Sequence, residues 1–246
     1  MTEESILLTG ATGYVGGRLL ERLSTTRHKV RCLVRDPQRL VGRPGSQAAQ
    51  IVVGDVLDAG SLQGAFDGIT VLFYLVHSMG STTGFEEADR VAVENVLAEA
   101  RRAGVRRIVY LGGLGREGDA DSAHLRSRHE VGALLRGSGI PTLEFRASIV
   151  IGPGSLSFDL IRSLVERLPV MITPRWVRSL AQPIYIDDVL SYLMAAIDAE
   201  ATRGVVEIGG PDRVSYSDLL LLYARQRKLR RSVIHVPLLT ARLSSL

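Results

Sequence analysis

The chain has 246 residues, 46% of them hydrophobic and 23% charged, with a formal net charge of +4 at pH 7. That length and balance describe one globular domain, or a large domain with a small lobe, and exclude disordered, collagen-like and disulfide-scaffold classes. Aromatic residues are only 5% of the chain, too few for a base-stacking platform, so the basic excess does not point to nucleic acid.

The chain opens Met1-Thr2-Glu3-Glu4, acidic where a targeting peptide is basic. No apolar run approaches the roughly 18–20 residues of a membrane span, so a soluble protein is expected. Apolar, β-branched runs then alternate with helical patterns, which is the signature of βαβ units around a parallel sheet. Strands are predicted at Ile6–Thr9, Val30–Val34, Ile51–Gly54, Val71–Leu75, Arg107–Leu111 and Thr142–Arg146. Helices fit Val15–Thr25, Glu86–Ala103 and Ser122–Arg136, with a shorter one at Leu57–Phe66. Gly104 and Gly137-Ser138-Gly139 supply helix stops. The expected fold is α/β, a Rossmann-type doubly wound parallel sheet of six strands over residues 1–150. The lone cysteine, Cys32, permits no internal disulfide, and no Cys/His cluster suggests a structural metal, so a reducing cytoplasmic compartment is the default.

The pattern changes after Arg146. Gly152-Pro153-Gly154 is a loop, Pro169, Pro174 and Pro183 punctuate the segment after it, and strands at Val205–Ile208 and Val233–Val236 flank a helical Tyr216–Lys228. Residues 151–246 are expected to form a smaller C-terminal substrate lobe on the C-terminal edges of the sheet, where open α/β folds hold ligands. Pro237 to Leu246 is apolar without a polar tail, so a continuation of the natural chain or a partner is expected there.

Between the first strand and the first helix stands Thr9-Gly10-Ala11-Thr12-Gly13-Tyr14-Val15-Gly16-Gly17. Glycine belongs in such a turn when a pyrophosphate approaches backbone N–H groups at a helix N-terminus more closely than a Cβ allows. The spacing Gly-x-x-Gly-x-x-Gly resembles the short-chain dehydrogenase/reductase superfamily. More specifically, the chain is similar to its atypical, nitrogen-metabolite-repressor-like branch of NAD(P)-binding proteins, the NAD-dependent epimerase/dehydratase type. Leu8–Gly16, Val30–Pro37, Gly54-Asp55-Val56, Gly104–Tyr110, Gln182–Val189 and Glu207–Pro211 carry the resemblance.

That resemblance implies a dinucleotide cofactor held by Gly10, Thr12, Gly13, Tyr14, Val15 and Gly16. It puts Asp55 and Val56 over the adenine, and Leu75, Val76 and His77 along the path to the nicotinamide. The end of the second strand selects between cofactors, because an acidic side chain there favours the ribose 2′-OH of NAD and an arginine the 2′-phosphate of NADP. Arg35 comes first, Asp36 next and Arg39 a turn later, so NADP is preferred, with NAD the alternative. His77 either meets a substrate or caps its strand.

Reductases of this superfamily carry a Tyr-x-x-x-Lys pair after the fifth strand and a serine at that strand's end. The tyrosine exchanges a proton with the substrate, and the lysine lowers its pKa. Here no tyrosine is followed four residues later by a lysine, and glycines of Leu111-Gly112-Gly113-Leu114-Gly115 stand where the serine falls. The helix instead offers His124 and Arg128 as catalytic candidates. In one reading His124 is the proton donor, since imidazole titrates near neutrality, and Arg128 supplies positive charge. In the other, the helix merely closes over the cofactor. Asp187-Asp188 resembles a metal pair, but adjacent carboxylates opening a helix ordinarily serve its dipole, so no metal is expected. Arg225–Arg231 reads as a solvated helix end. Two functions are open at this point: an NADP-dependent oxidoreductase on a small carbonyl, quinone-like or enone substrate, or a non-catalytic NADP(H)-sensing regulator or assembly protein.

Overall fold

The computed structural model describes residues 3–77, 84–115, 123–199 and 201–236. In chain order the elements begin with β1 (Ser5–Thr9), α1 (Tyr14–Leu23), β2 (Lys29–Val34), β3 (Ala49–Val53) and β4 (Val71–Tyr74). They continue with α2 (Phe85–Arg102), β5 (Arg107–Gly113), α3 (Ala123–Arg136) and β6 (Thr142–Ala147). Then come β7 (Val150–Ile151), α4 (Leu156–Arg167), β8 (Val170–Thr173), β9 (Leu180–Ala181) and β10 (Ile184–Tyr185). The last are α5 (Ile186–Asp198), β11 (Gly204–Ile208), β12 (Val214–Ser215), α6 (Tyr216–Gln226) and β13 (Ser232–His235).

Seven strands form the main sheet in the order β11-β6-β5-β4-β1-β2-β3. The ladders joining β3, β2, β1, β4 and β5 are all parallel. A strand covered on both faces reads as a continuous apolar run. That is what β1 shows, with Ile6, Leu7 and Leu8 all at 0% exposure, and β4 shows it too, buried along its whole length. Chain order reverses between β1 and β4, and such a reversal opens a crevice at the C-terminal ends of the two strands. The helices form from amphipathic spacing. Along α2, Val93, Val96, Leu97 and Ala100 face a core shared with Ile108 and Tyr110 of β5 and Val131 and Leu135 of α3. Gly104, at φ +71°, ends α2 in the left-handed conformation that glycine adopts without strain.

The structure revises several expectations. The main sheet has seven strands where the sequence predicts six, because β11, read from sequence as part of the lobe, joins its edge. Only one 3₁₀ turn, Ala59–Leu62, forms where a helix over Leu57–Phe66 is predicted. Gly60 and Gly64, the latter at φ +75°, interrupt that segment, yet Leu62 and Phe66 are both buried in the core. The start of the predicted helix at Ser122, and the apolar Pro237–Leu246, lie outside the described residues.

The chain divides into two compact units, Met1–Arg146 with Asp187–Ile208, and Ala147–Ile186 with Gly209–Leu246. The sequence reading places one boundary at residue 150; in the structure residues 187–208 return to the first unit. Specific contacts hold them there. Arg22 pairs with Asp187 at 2.9 Å, Arg107 donates to the Ala196 carbonyl at 3.1 Å, and the Tyr192 ring tilts against Phe145. The second unit has its own small core of Val165, Met171, Val177, Leu220 and Ala224 under the parallel pair β8–β13. Among the described residues no helix is long and apolar enough to cross a membrane. Cys32 is buried in β2, and burial pushes its thiol up to about 12, which leaves it unreactive.

Candidate functional site

The three spaced glycines have different reasons for being glycine. Gly10 sits at φ +74°, and a Cβ there would lie 2.3 Å from the Leu75 carbonyl oxygen. A Cβ on Gly16 would lie 2.2 Å from the Gly10 carbonyl oxygen. Both are demanded by the chain's own packing of α1 against the ends of β1 and β4. Gly13 is less constrained: its φ of −80° suits any residue, and a Cβ there meets only the Gly10 oxygen, tightly at 3.2 Å but without overlap. Gly13 is exposed and caps α1 without a side chain, and no acidic residue stands in the helix's first turn. The turn therefore presents a helix N-terminus with bare backbone and no competing carboxylate, the arrangement that receives an anion. Thr12, Tyr14 and Val15 are partly exposed around it.

Thr9 fixes this turn against β4. Its hydroxyl donates to the Phe73 carbonyl and accepts from the Leu75 N–H, both at 3.0 Å. Sequence reasoning does not find this tie, because a strand threonine carries no signal for it. At the end of β2, Asp36 accepts from the Gln38 N–H at 2.9 Å and so caps the turn Pro37–Leu40. Arg35 beside it is exposed and makes no ion pair among the described residues. After β3, the Asp55 carboxylate accepts from the Leu57 N–H at 3.0 Å, and the Val56 carbonyl accepts from the Asn95 amide of α2 at 2.9 Å. Asp55 and Val56 are thus fixed and partly exposed just after Gly54, whose N–H donates to the Val34 carbonyl at the end of β2.

On the other side of β1, Leu75, Val76 and His77 continue from β4 and are partly exposed. The His77 Nε2 stands 3.4 Å from the Leu111 carbonyl, and its ring lies edge-on to Tyr110 with centroids 5.8 Å apart. Burial first, and the positive charge of Arg128 second, hold this imidazole down to about 4, so the ring is neutral at physiological pH. Its Nδ1 is shielded from water and has no hydrogen-bond partner among the described residues.

The glycines at the end of β5 and just after it make room for specific side chains. A Cβ on Gly113 would meet Leu125 at 2.7 Å and Arg128 at 3.5 Å; one on Gly115 would meet Leu125 at 2.7 Å. The Glu144 carboxylate lies 3.1 Å from a Cβ on Gly112 and pairs in the interior with Arg146 at 2.6 Å and with Arg136. The space beside Gly113 and Gly115 is thus filled from α3. On that helix the buried Ser127 donates to Asp89 of α2 at 2.6 Å, a pairing the sequence does not announce. The Arg128 side chain runs over Gly113, and the His129 ring contacts the Gly113 carbonyl at 3.2 Å. His124 is exposed and stacks on Phe85, centroids 4.4 Å apart. One helical turn separates it from Arg128. Asp187 and Asp188 stand in the first turn of α5, and no group of three or more potential metal-ligating side chains occurs among the described residues. All the residues of this crevice belong to the first compact unit.

Residues 10–139 match a protein family described as NAD(P)H-binding. A (4-alkanoyl-5-oxo-2,5-dihydrofuran-3-yl)methyl phosphate reductase from Streptomyces griseus is 33% identical over 219 residues, covering 85% of this chain and 69% of that protein. A 3-diazoavenalumate denitrifying reductase from a Streptomyces species is 26% identical over 254 residues, covering 89% of this chain and 80% of the relative. A 3 beta-hydroxysteroid dehydrogenase/isomerase from Mycobacterium tuberculosis matches at 33% over 115 residues, only 30% of its own length. The fold is that of the Bordetella bronchiseptica enzyme WbmG, solved in complex with NAD. The TM-score is 0.80 at 19% identity, over 96% of this chain and 82% of that one. A UDP-glucose 4-epimerase from Thermotoga maritima gives a TM-score of 0.78 at 14% identity, over 96% and 87% of the two chains.

Proposed function

The chain belongs to the NAD(P)H-binding family, within the atypical short-chain dehydrogenase/reductases. From that premise we propose that it is an NADP-dependent oxidoreductase acting on a small carbonyl, quinone-like or enone substrate. The observation that supports the cofactor half of this reading is Gly13, exposed at the N-terminus of α1, where a Cβ would meet the Gly10 oxygen tightly at 3.2 Å without the outright overlap found at Gly10 and Gly16. A pyrophosphate resting on the N-terminus of α1 gives the missing side chain a purpose.

In this reading Gly10, Gly13 and Gly16 shape the cradle, with Thr12, Tyr14 and Val15 beside it. Asp55 and Val56 cover the adenine, and Leu75, Val76 and His77 line the way to the reactive ring. Arg35 faces the 2′-phosphate; its exposure without a carboxylate partner among the described residues supports this, as does the engagement of Asp36 in its own turn. NAD is then the weaker ligand.

A bound reduced nicotinamide supplies a hydride to the substrate. His124 delivers the accompanying proton to the oxygen or carbon left negative, so that a carbonyl becomes an alcohol or a conjugated double bond is saturated. Arg128, fixed over Gly113, stabilises the negative charge electrostatically and cannot itself shuttle protons. The Streptomyces griseus relative is named for reducing an acyl-substituted, unsaturated lactone, which supports the enone class. A reducing, cytoplasmic setting fits the buried thiol of Cys32.

One observation favours a second reading, an NADP(H)-sensing regulator or assembly protein without turnover. Leu125 and Arg128 fill the space beside Gly113, and the tyrosine–lysine pair is absent. Single-turnover oxidation of bound NADPH with a panel of carbonyls, enones and quinones separates the two. Consumption with any of them supports the oxidoreductase; tight binding without consumption supports the sensor; no binding of NADPH overturns both.

A further inference from the structure

Positive charge is gathered in the second compact unit. Ala147–Ile186 and Gly209–Leu246 hold eleven arginines and lysines against four carboxylates, a net charge of +7, and the rest of the chain is net −3. Three of the four carboxylates are engaged locally, Asp159 by Arg162, Glu166 by Arg227 and Asp218 by the Ser215 hydroxyl. Arg167, Arg175, Arg178 and Arg230 are exposed and make no ion pair among the described residues. Lys228 closes α6 in the left-handed conformation, at φ +56°, with the Leu229 N–H bonded to the Ala224 carbonyl at 2.9 Å. Glycine fits such a helix stop without strain, so the lysine keeps a cation where the backbone favours another residue.

In sequence these cations flank the strands of an uncovered sheet face. β8 and β13 pair in parallel, with Ile172 opposite Ile234 and Val170 opposite Ser232. Alternation turns Met171 and Val233 toward the unit's core and puts Val170, Ile172 and Ile234 on the other face, 49, 65 and 52% exposed. Parallel strands are ordinarily covered on both faces, so an apolar face that the described residues leave bare calls for a partner. Arg167 precedes β8, Arg175 and Arg178 follow it, and Arg230 precedes β13. Trp176 stands between Arg175 and Arg178, half-exposed, with its ring edge-on to Tyr216.

The partner must offer negative charge and an apolar phase together. A nucleic-acid backbone offers only the charge, and a second copy of this face would bring +7 against +7. An anionic bilayer offers both, because its headgroups attract the arginines and its headgroup–acyl boundary receives aliphatic side chains and the amphipathic indole. Contact at that depth leaves the free edges of the two-stranded β8–β13 pair within reach of water, which a spanning position would not. We propose that the β8–β13 face docks the second unit onto an anionic lipid surface as a peripheral contact. This contact is independent of the dinucleotide reading, whose residues belong to the first unit.

The test is co-sedimentation of the full chain with phosphatidylcholine vesicles, with and without phosphatidylserine. Binding is expected to be about tenfold or more tighter with phosphatidylserine, and to weaken steeply with added salt. Ile172→Ser combined with Ile234→Ser leaves the charge unchanged and is expected to weaken binding about tenfold or more. Arg175→Gln combined with Arg178→Gln is expected to weaken it about 10- to 30-fold at low salt. Trp176 is the chain's only tryptophan, so its emission reports on the face in the wild-type protein without recourse to a variant. That emission is expected to shift to the blue on phosphatidylserine vesicles and to be quenched by brominated acyl chains. The proposal is overturned by equal binding or none to the two kinds of vesicle, by undiminished binding of the isoleucine variant, or by emission that brominated chains leave unchanged. Lipid-free self-association that the isoleucine variant abolishes would assign the face to a second copy instead. Binding of poly-L-glutamate as tight as that of the vesicles, and lost in the same variant, would assign it to an acidic polypeptide; either result overturns the lipid contact.

Discussion

The two ends of the main sheet are built on opposite principles. At the N-terminal ends of the strands the polar groups are matched within the protein. The buried Glu4 carboxylate meets Arg106 at 2.8 and 3.0 Å and accepts from the Thr70 hydroxyl, and the Glu4 N–H donates to His28 at 3.1 Å. At the C-terminal ends the chain leaves a bare helix N-terminus at Gly13. There it also exposes Arg35 with no ion pair among the described residues. Hydrogen-bonding capacity saturated at one end contributes stability; capacity held open at the other is of use only to a ligand. The functional end of an open α/β sheet can thus be recognised by what its groups lack as well as by what they contain.

The largest effect expected at the open end is chemical. If His124 is the proton donor, His124→Ala lowers kcat about 10²- to 10⁴-fold with NADPH affinity nearly unchanged, as loss of a general acid does. Steady-state and binding measurements on one preparation check this, and a variant at the wild-type rate assigns the proton to another donor or to water.

Next in size is a contrast between two glycines of the same turn, Gly13 and Gly16. Gly13→Val is expected to weaken NADPH binding on the order of 100-fold or more, because the branch intrudes on the pyrophosphate, while the melting temperature moves little. Gly16→Val is expected to lose the fold itself, since its Cβ would lie 2.2 Å from the Gly10 oxygen. Equal thermal damage from both would erase the distinction between a glycine kept for a ligand and one kept for packing.

These contrasts also show where the sequence is readable. Strands β1, β4 and β5 are legible because burial on both faces forces nearly continuous apolar runs, as in Ile6-Leu7-Leu8. The glycine turn is legible because backbone approach admits few residue types. The return of residues 187–208 to the first unit is not, because the contacts that hold it, such as Arg22 with Asp187, span some 165 positions. No local period encodes a partner that far away. For the same reason the glycines of β5 read as a missing serine, when their cause is the side chains of Leu125, Arg128 and Glu144 arriving from α3 and β6. The unmatched Nδ1 of His77 is equally invisible, since it depends on Leu111 of the neighbouring strand.

Acid sharpens the comparison. Because the folded protein holds His77 down to about 4 while an unfolded imidazole titrates near 6.5, the unfolded chain binds the extra proton first. Stability then falls as pH drops through that window, by on the order of 1–3 kcal/mol, and is fully present above it. Denaturant titrations from pH 7 to pH 4 on wild-type and His77→Asn protein are expected to show this loss in the former and a shallower dependence in the latter.

A smaller effect belongs to the closed end. Glu4→Ala is expected to cost about 1–2 kcal/mol of stability, because the carboxylate is buried but its partner Arg106 stays solvated. Its NADPH affinity is expected to match wild type, and a change in affinity comparable to that of the crevice variants would deny that the two ends act separately.

The most direct measurement is calorimetric titration of the wild-type protein with NADPH and with NADH, repeated on Arg35→Ala. The account predicts that both bind and that NADPH binds about tenfold or more tightly, since a charge-assisted contact is worth about 1.5–3 kcal/mol, with most of that preference gone in the variant. Equal affinities in the wild type would contradict the role given to Arg35, and the absence of binding by either cofactor would contradict the assignment of the open end of the sheet as a dinucleotide site.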